Sequence, residues 1–124
     1  MIYGVGIDLV RIERIREAAE RWGERFLERV YTPDEISYCY KNKNPYLSLA
    51  VRFAAKEALV KAANPGTPFS LREIEVFNYP TGKPSLRLSG SLQTLFEERK
   101  IRVAHLSLSH EKDYGIACVV LEGE

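Results

Sequence analysis

The sequence has few of the residues that hold small proteins together covalently or through metals. Its two cysteines, Cys39 and Cys118, are too few for a disulfide framework, and neither belongs to a pair with metal-thiolate spacing. No apolar run is long enough to span a bilayer, and the chain opens on Ile-Tyr-Gly-Val-Gly-Ile without the basic segment of a signal peptide. We therefore expect a cytoplasmic protein without disulfides and without a membrane partner.

An excess of charge of one sign is also missing. The 18 basic and 17 acidic residues leave a formal net charge of +1, which gives no general attraction to nucleic acid or membranes. Glutamates are interleaved even in the most arginine-rich segment, and they cancel the field that a phosphate backbone requires. The composition is otherwise that of a globular protein, 45% hydrophobic and 28% charged. We predict one domain spanning residues 1–124.

The strongest helical segment lies in the middle of the chain, where Ala, Lys, Glu and Leu dominate residues 52–62. Asn44 and Pro45 supply a cap and a first-turn proline, and Asn64-Pro65-Gly66 ends the segment. This predicts a helix from about Pro45 to about Ala63. One side of it is a narrow stripe of methyl groups, which lets another backbone approach and is predicted to be buried: Ala50, Ala54, Ala58 and Ala62.

On a neighbouring face of that helix, Phe53, Glu57 and Lys61 place a ring, a carboxylate and an amine in a row. Taken alone, Glu57 and Lys61 fit an ordinary helix ion pair, which contributes about 0.2–0.5 kcal/mol. Asp8 lies near the end of an apolar strand predicted over Met1–Val10. A carboxylate in such surroundings usually has a partner, although a turn or cap aspartate is the alternative.

Two carboxylates, Asp8 and Glu57, are the protein ligands that Mg²⁺ commonly takes, with water and phosphate oxygens completing its coordination. Lys61, one helical turn beyond Glu57, would then face the phosphates. Ser109 and His110, at a strand end beside a turn, are candidate phosphate ligands, and for His110 the alternative is a structural hydrogen bond. The sequence does not show that these groups meet.

The remaining elements follow from periodicity and capping signals. Residues Arg11–Val30 have an amphipathic helical pattern with Gly23 as a candidate break, and Thr32-Pro33-Asp34-Glu35 predicts a capped helix packed through Ile36 and the tyrosines. A short helix is expected at Leu92–Glu98. Strands are predicted at Leu71–Tyr79, Ser85–Leu88, Val103–His110 and Tyr114–Leu121.

The last strand is nearly all apolar, so we expect it to be buried on both faces or to lie at a subunit contact. The predicted fold is α+β, with a small, mostly antiparallel sheet packed against one long helix. On the first helix, Arg14, Arg21 and Arg25 fall at i, i+7 and i+11, close to one face. They form either a solvated surface laced with ion pairs or a basic ridge for an acidic partner.

Three blocks carry a resemblance to a known family along essentially the whole chain. They are Gly6-Ile7-Asp8-Leu9-Val10 followed by Arg14, the segment Arg52–Ala62, and Leu106–His110, with Gly82-Lys83-Pro84 between the last two. The chain resembles the holo-acyl-carrier-protein synthase family of 4′-phosphopantetheinyl transferases. The resemblance implies the phosphopantetheinyl transferase fold and transfer of the phosphopantetheine arm of coenzyme A to a serine of apo-acyl carrier protein. It also implies a homotrimer with coenzyme A bound between subunits.

The same resemblance implies roles for individual residues. Asp8 and Glu57 hold Mg²⁺, Glu57 takes the serine proton directly or through water, and Lys61 steadies the pyrophosphate. Coenzyme A is expected to contact Arg52, Phe53, Lys43, Gly82, Lys83, Pro84, Ser109 and His110. The acidic carrier protein is expected on Arg14, Arg21 and Arg25.

Two other functions would use the same pyrophosphate-binding residues. A coenzyme A or nucleotide sensor would hold the pyrophosphate without chemistry, and a Mg²⁺-dependent pyrophosphohydrolase would use water in place of serine. Neither needs a basic ridge for an acidic protein.

Overall fold

The computed structural model describes all 124 residues and contains five α-helices and five β-strands. The elements, in chain order, are β1 (Ile2–Arg11), α1 (Ile12–Trp22), α2 (Glu24–Val30), α3 (Pro33–Cys39), α4 (Tyr46–Ala63), a 3₁₀ turn (Leu71–Glu73), β2 (Ile74–Asn78), β3 (Pro84–Leu88), α5 (Gly90–Glu98), β4 (Ile101–His110) and β5 (Tyr114–Gly123). None of the helices is both long and apolar enough to cross a membrane.

The strands form two antiparallel units rather than one sheet. β5 lies between β1 and β4 in a three-stranded sheet, and β2 pairs only with β3 in a separate hairpin. The predicted strand over Leu71–Tyr79 was wrong at its start. Ser70 and Glu73 form a capping box there, with the Glu73 carboxylate accepting from the Ser70 amide at 2.9 Å, and this local exchange holds a 3₁₀ turn before β2 begins.

The long helix α4 lies directly on β1, as the alanine stripe predicts. Ala50, Ala54 and Ala58 are fully buried. A Cβ atom added at Gly6 would lie 1.9 Å from the Ala58 carbonyl oxygen, so only a glycine allows the strand backbone to touch the helix backbone here. Asp8 lies two residues beyond Gly6, and successive side chains alternate along a strand. Asp8 therefore faces α4.

The helical segment after β1 is broken at Gly23, as its glycine suggests. Gly23 has φ +56°, a left-handed conformation that other residues rarely adopt, and its amide donates to the Ala19 carbonyl at 2.9 Å. Arg25 therefore belongs to α2, whereas Arg14 and Arg21 belong to α1. The spacing argument that put all three arginines on one helical face assumed a continuous helix, and it was wrong for Arg25.

The capping box of α3 is confirmed, and Ile36 packs against the core as predicted, but the tyrosines of this helix do not. The Thr32 hydroxyl accepts from the Glu35 amide at 3.2 Å, and the Glu35 carboxylate accepts from the Thr32 amide at 2.9 Å. Tyr38 and Tyr40 are exposed, whereas Cys39 and Glu35 are buried. The expectation failed because Glu35 has a buried cationic partner, Lys56, which makes burial of its carboxylate tolerable.

Within one chain, β5 is buried on a single face. Ala117, Val119 and Leu121 are fully buried against the rest of the chain, whereas Ile116 on the opposite face is 36% exposed. The expectation that β5 is buried on both faces therefore does not hold within the chain. The other expectation, a subunit contact, concerns an outer sheet face that also carries exposed side chains of β1, namely Val5, Ile7 and Leu9.

Candidate active site

The carboxylate of Asp8 and the ammonium group of Lys61 meet where β1 crosses α4. Lys61 Nζ lies 3.0 Å from Asp8 Oδ1 and donates to the Ile7 carbonyl at 2.9 Å. The Lys61 side chain is 55% exposed and that of Asp8 is 16% exposed. The ordinary Glu57–Lys61 helix pair does not form, because Lys61 reaches across to β1 instead. Its ammonium group contacts two acceptors of β1, the Asp8 carboxylate and the Ile7 carbonyl oxygen.

Glu57 lies beside this pair in an environment that disfavours its charge. Burial raises the pKa of Glu57, the negative charge of Asp8 raises it further, and the positive charges of Lys61 and Arg14 partly oppose both effects. Four charged groups from β1, α1 and α4 therefore act on one another. The structure brings together the three predicted catalytic residues and one of the three predicted partner-binding arginines.

The donor set around Asp8 and Glu57 fits a hard divalent cation. Oxygen is the donor that Mg²⁺ prefers, and it commonly takes only one or two protein carboxylates. No third His, Cys, Asp or Glu joins the pair to complete a metal cage. An ion held here would keep coordination positions for water or for oxygens of a substrate.

A cavity of about 700 Å³ opens beside the N-terminal half of α4. Four residues expected to contact coenzyme A line it, namely Arg52, Gly82, Pro84 and His110. Arg52 is 4% exposed and donates to the Ser48 hydroxyl at 2.9 Å and to the Asn78 side-chain oxygen at 2.5 Å, and its Nε has no partner. A guanidinium at the wall of a cavity suits an anionic ligand.

The other expected coenzyme A residues lie elsewhere. Ser109 lines a second cavity of about 370 Å³ on the outer face of the sheet, where it meets His110, Leu9 and Ile116. Lys43 and Lys83 are exposed and line neither cavity. Phe53 is partly buried on α4. His110 is thus the only residue that belongs to both cavities.

The arginines of the predicted ridge differ in how they are engaged. Arg16 is paired with Glu13 at 3.1 Å and with Glu20 at 3.8 Å, whereas Arg14 and Arg21 on the same helix form no ion pair. Free guanidinium groups are available to a partner, so this pattern favours the basic ridge over a fully paired solvated face.

Sequence reasoning missed an aromatic groove that continues this ridge onto α2. A cavity of about 340 Å³ is lined by Trp22, Arg25, Phe26 and Arg29. Trp22 is 52% exposed, with the Arg21 guanidinium 4.9 Å from its ring. The amphipathic pattern of residues 11–30 contains no signal of a groove.

Residues 4–119 match the model of the 4′-phosphopantetheinyl transferase superfamily. The chain belongs to this superfamily. The match covers most of β1 and the whole of α4, the elements that carry Asp8, Glu57 and Lys61.

Individual relatives agree over nearly the full chain. The holo-[acyl-carrier-protein] synthase of Halothermothrix orenii is 49% identical over 125 residues, covering 98% of both chains. The crystal structure of that synthase from Neisseria meningitidis is 38% identical with a TM-score of 0.90, covering 98% of this chain and 99% of its own. The Helicobacter pylori synthase in complex with coenzyme A is 35% identical with a TM-score of 0.83, covering 95% and 99%. The predicted fold is thereby confirmed.

The raised pKa of Glu57 predicts how stability depends on pH without metal. The folded chain keeps a proton on Glu57 at pH values where the unfolded chain has lost it. Ionisation of Glu57 therefore lowers the free energy of unfolding as pH rises from the ordinary glutamate pKa through the folded value. Glu57→Gln has no carboxylate to ionise and should not show this fall in the free energy of unfolding. In EDTA, which removes metal ions, the stability advantage of Glu57→Gln over wild type should therefore grow as pH rises from the ordinary glutamate pKa through the folded value. Urea denaturation at a series of pH values measures it.

The control is Glu97→Gln, which neutralises an exposed carboxylate of α5. This variant should follow the wild-type pH dependence. A Glu57→Gln advantage that is absent, or that shrinks as pH rises, would contradict the assigned environment of Glu57.

Proposed function

We propose that the chain transfers the 4′-phosphopantetheine moiety of coenzyme A to a serine hydroxyl of apo-acyl carrier protein in a Mg²⁺-dependent reaction. The products are holo-acyl carrier protein and adenosine 3′,5′-bisphosphate. The observation that carries this proposal is the meeting of Asp8 of β1 with Glu57 and Lys61 of α4, the helix that also lines the Arg52 cavity. The names of the relatives support it, and the Helicobacter pylori relative was solved with coenzyme A.

Asp8 and Glu57 would hold the Mg²⁺ ion, which polarises the reacting phosphorus and neutralises charge that develops on the pyrophosphate. Their carboxylates lie on facing elements, and each would supply an oxygen ligand to the ion. The repulsion between them, seen in the raised pKa of Glu57, would be relieved by a cation.

Glu57 is the proposed acceptor of the serine proton, directly or through a water molecule. Burial disfavours the charge of Glu57, which suits a carboxylate that takes up a proton. The serine oxygen forms a bond to the phosphorus of the pantetheine phosphate, and the bond from that phosphorus to the bridging oxygen breaks. Lys61, half-exposed and hydrogen-bonded to Asp8, is placed to steady the departing phosphate and to give it a proton.

The first prediction is loss of transfer in site variants. Glu57→Ala and Asp8→Ala should lower transfer by about 100-fold or more, since each removes a metal ligand and Glu57→Ala also removes the base. Mass spectrometry of apo-carrier protein incubated with coenzyme A and Mg²⁺ measures the added phosphopantetheine. Lys61→Ala should lower turnover more than coenzyme A binding, and Glu97→Ala is the control. Near-normal transfer by Glu57→Ala would refute the site.

The same assay separates the alternatives. A sensor would leave both coenzyme A and the carrier protein unchanged. A pyrophosphohydrolase would release free phosphopantetheine without any carrier protein present.

The adenosine end of coenzyme A is proposed to bind in the cavity lined by Arg52, Gly82, Pro84 and His110. Its 3′-phosphate is a dianion, and the buried Arg52 guanidinium and the His110 ring are donors for it. Lys43, Lys83, Phe53 and Ser109 are proposed as supporting contacts, because they lie on the loops, helix and strand end around this cavity.

Comparison of coenzyme A with its 3′-dephospho form tests this placement. His110→Ala should weaken coenzyme A binding by about tenfold, the scale of one charge-assisted hydrogen bond, and dephospho-coenzyme A much less. Isothermal titration calorimetry gives both constants. His105→Ala, which changes the other histidine of β4, should leave their ratio unchanged, and equal losses for both ligands in His110→Ala would contradict the assignment.

A homotrimer with coenzyme A between subunits is proposed from the outer face of the sheet. Val5, Ile7 and Leu9 of β1 are 57%, 54% and 60% exposed, and Ile116 of β5 continues their surface. Contiguous apolar surface of this kind marks an interface. The second cavity, at Leu9 and His110, opens on this face, so a neighbouring copy would close it beside His110, which also lines the proposed 3′-phosphate cavity.

Replacement of one side chain in this face tests the assembly. Ile7→Asp should convert a species with the mass of three chains into monomers, because burying an unpaired carboxylate costs several kcal/mol. It should also lower transfer by about tenfold or more, since the site would lack its second wall. Sedimentation velocity measures the mass, and Gln93→Asp on exposed α5 is the control. A wild-type chain that is monomeric at enzyme concentrations, or an Ile7→Asp trimer, would refute the proposal.

The acidic carrier protein is proposed to dock on Arg14, Arg21 and Arg25. Arg14 acts on Glu57 electrostatically, which places the start of this ridge beside the reacting groups. Acyl carrier proteins are small and acidic, with the modified serine at the start of an acidic helix. That serine must reach the metal, and the ridge begins close enough for it to do so.

Charge reversal tests the docking surface. Arg14→Glu with Arg21→Glu should raise the KM for carrier protein by about tenfold and leave the KM for coenzyme A unchanged, since rim charges set encounter and orientation. Rising salt should mimic the change by screening. Arg72→Glu, an exposed arginine in the 3₁₀ turn, is the control. If neither the double reversal nor high salt affects carrier-protein kinetics, the partner docks elsewhere.

A further inference from the structure

Lys56 precedes Glu57 in the central segment, yet none of the proposed roles uses it. Its side chain is fully buried, and all three of its donors are engaged. Nζ lies 2.6 Å from Glu35 Oε1, 2.6 Å from the Val30 carbonyl oxygen and 3.2 Å from the Leu71 carbonyl oxygen. An ammonium group with no exposure and three protein acceptors is not available to a phosphate.

Glu35, the partner of Lys56, is also buried and fully hydrogen-bonded. Glu35 is 1% exposed, and besides binding Lys56 it accepts from the Thr32 amide at 2.9 Å and from the Val76 amide at 2.8 Å. Through this pair α4 is tied to the end of α2, the start of α3, the 3₁₀ turn and β2. Breaking one member would leave the other as an uncompensated buried charge, which is strongly destabilising.

The contact of α4 with β1 explains why such a tie is needed. That contact is made by glycines against a stripe of alanines, so it allows close approach but has few protruding side chains that interlock. Methyl-on-backbone contacts resist separation more than they resist sliding or rotation, because dispersion is not directional. Hydrogen bonds from one ammonium group to acceptors on three separate segments are directional. Lys56 therefore constrains the rotation of α4 about its own axis.

We propose that Lys56 is a positioning residue for the transfer reaction, which holds α4 at the rotation that points Glu57 at Asp8. Consecutive helical residues are about 100° apart around the axis. With Lys56 directed at Glu35, the side chain of Glu57 faces β1 and that of Lys61, one turn later, reaches Asp8. This inference rests on the proposed function and on the proposed metal site.

The test separates positioning from simple stability. Lys56→Met keeps a stem of similar length but strands Glu35 as a buried charge, and the double variant Glu35→Gln/Lys56→Met removes that charge. Leu92→Ala, a core truncation in α5 where Leu92 is 1% exposed, is the stability control. Thermal unfolding, kcat, both KM values and the affinity for Mg²⁺ alone, by titration calorimetry, are measured for each at a temperature where all are folded.

The double variant should recover much of the melting temperature lost by Lys56→Met. Its kcat should remain about 10- to 100-fold below wild type, the scale of a small misplacement of catalytic groups, with KM for coenzyme A nearly unchanged. Its Mg²⁺ affinity should fall in parallel. Leu92→Ala should lose melting temperature while keeping kcat and Mg²⁺ affinity. If Lys56→Met does not fold, the double variant alone tests the positioning role of Lys56.

A double variant with wild-type kcat and Mg²⁺ affinity would overturn the proposal and leave Lys56 with a purely structural role. A wild-type chain that transfers nothing would instead refute the proposed function. In that case the Mg²⁺ comparison would still report on whether Lys56 sets the geometry of the carboxylate pair.

Discussion

The contact between the backbones of β1 and α4 is the constraint on which the rest of the structure depends. Gly6 touches the Ala58 carbonyl so closely that no side chain fits between them. This approach places a strand carboxylate, Asp8, against helix residues that would otherwise be separated from it by a layer of side chains. Because this contact is made by glycines and alanines without interlocking side chains, the orientation of α4 depends on the ion pair of Lys56 and Glu35 on another side of the helix.

Several features of the isolated chain are unfavourable by ordinary rules of stability, and they coincide with the proposed functional surfaces. Glu57 is held where burial and Asp8 disfavour its charge. Ile7 and Leu9 expose apolar side chains on the outer sheet face, and Arg52 keeps a buried donor without a partner. Each is explained if a cation, a second subunit or an anionic ligand is the missing partner. Local rules are commonly broken at functional sites and satisfied elsewhere.

Much of the fold could be predicted because its signals are local. The capping box at Thr32 and Glu35, the break at Gly23 and the buried alanine stripe all depend on residues within a few positions of one another. The misplaced burial on α3 has a different cause. Which residues of α3 face the core depends on how elements pack, and periodicity alone does not contain that information.

The sequence by itself determined which residue types are present, the approximate positions of most helices and strands, and the pair of carboxylates that suggests a metal site. Only the tertiary structure decided which groups meet. Lys61 pairs with Asp8, 53 positions away, rather than with Glu57 one turn away, and Lys56 pairs with Glu35 across 21 positions. The physical reason is that a side chain takes the partner that packing brings within reach. The crossing of β1 and α4, which no short-range pattern encodes, brings Asp8 to Lys61.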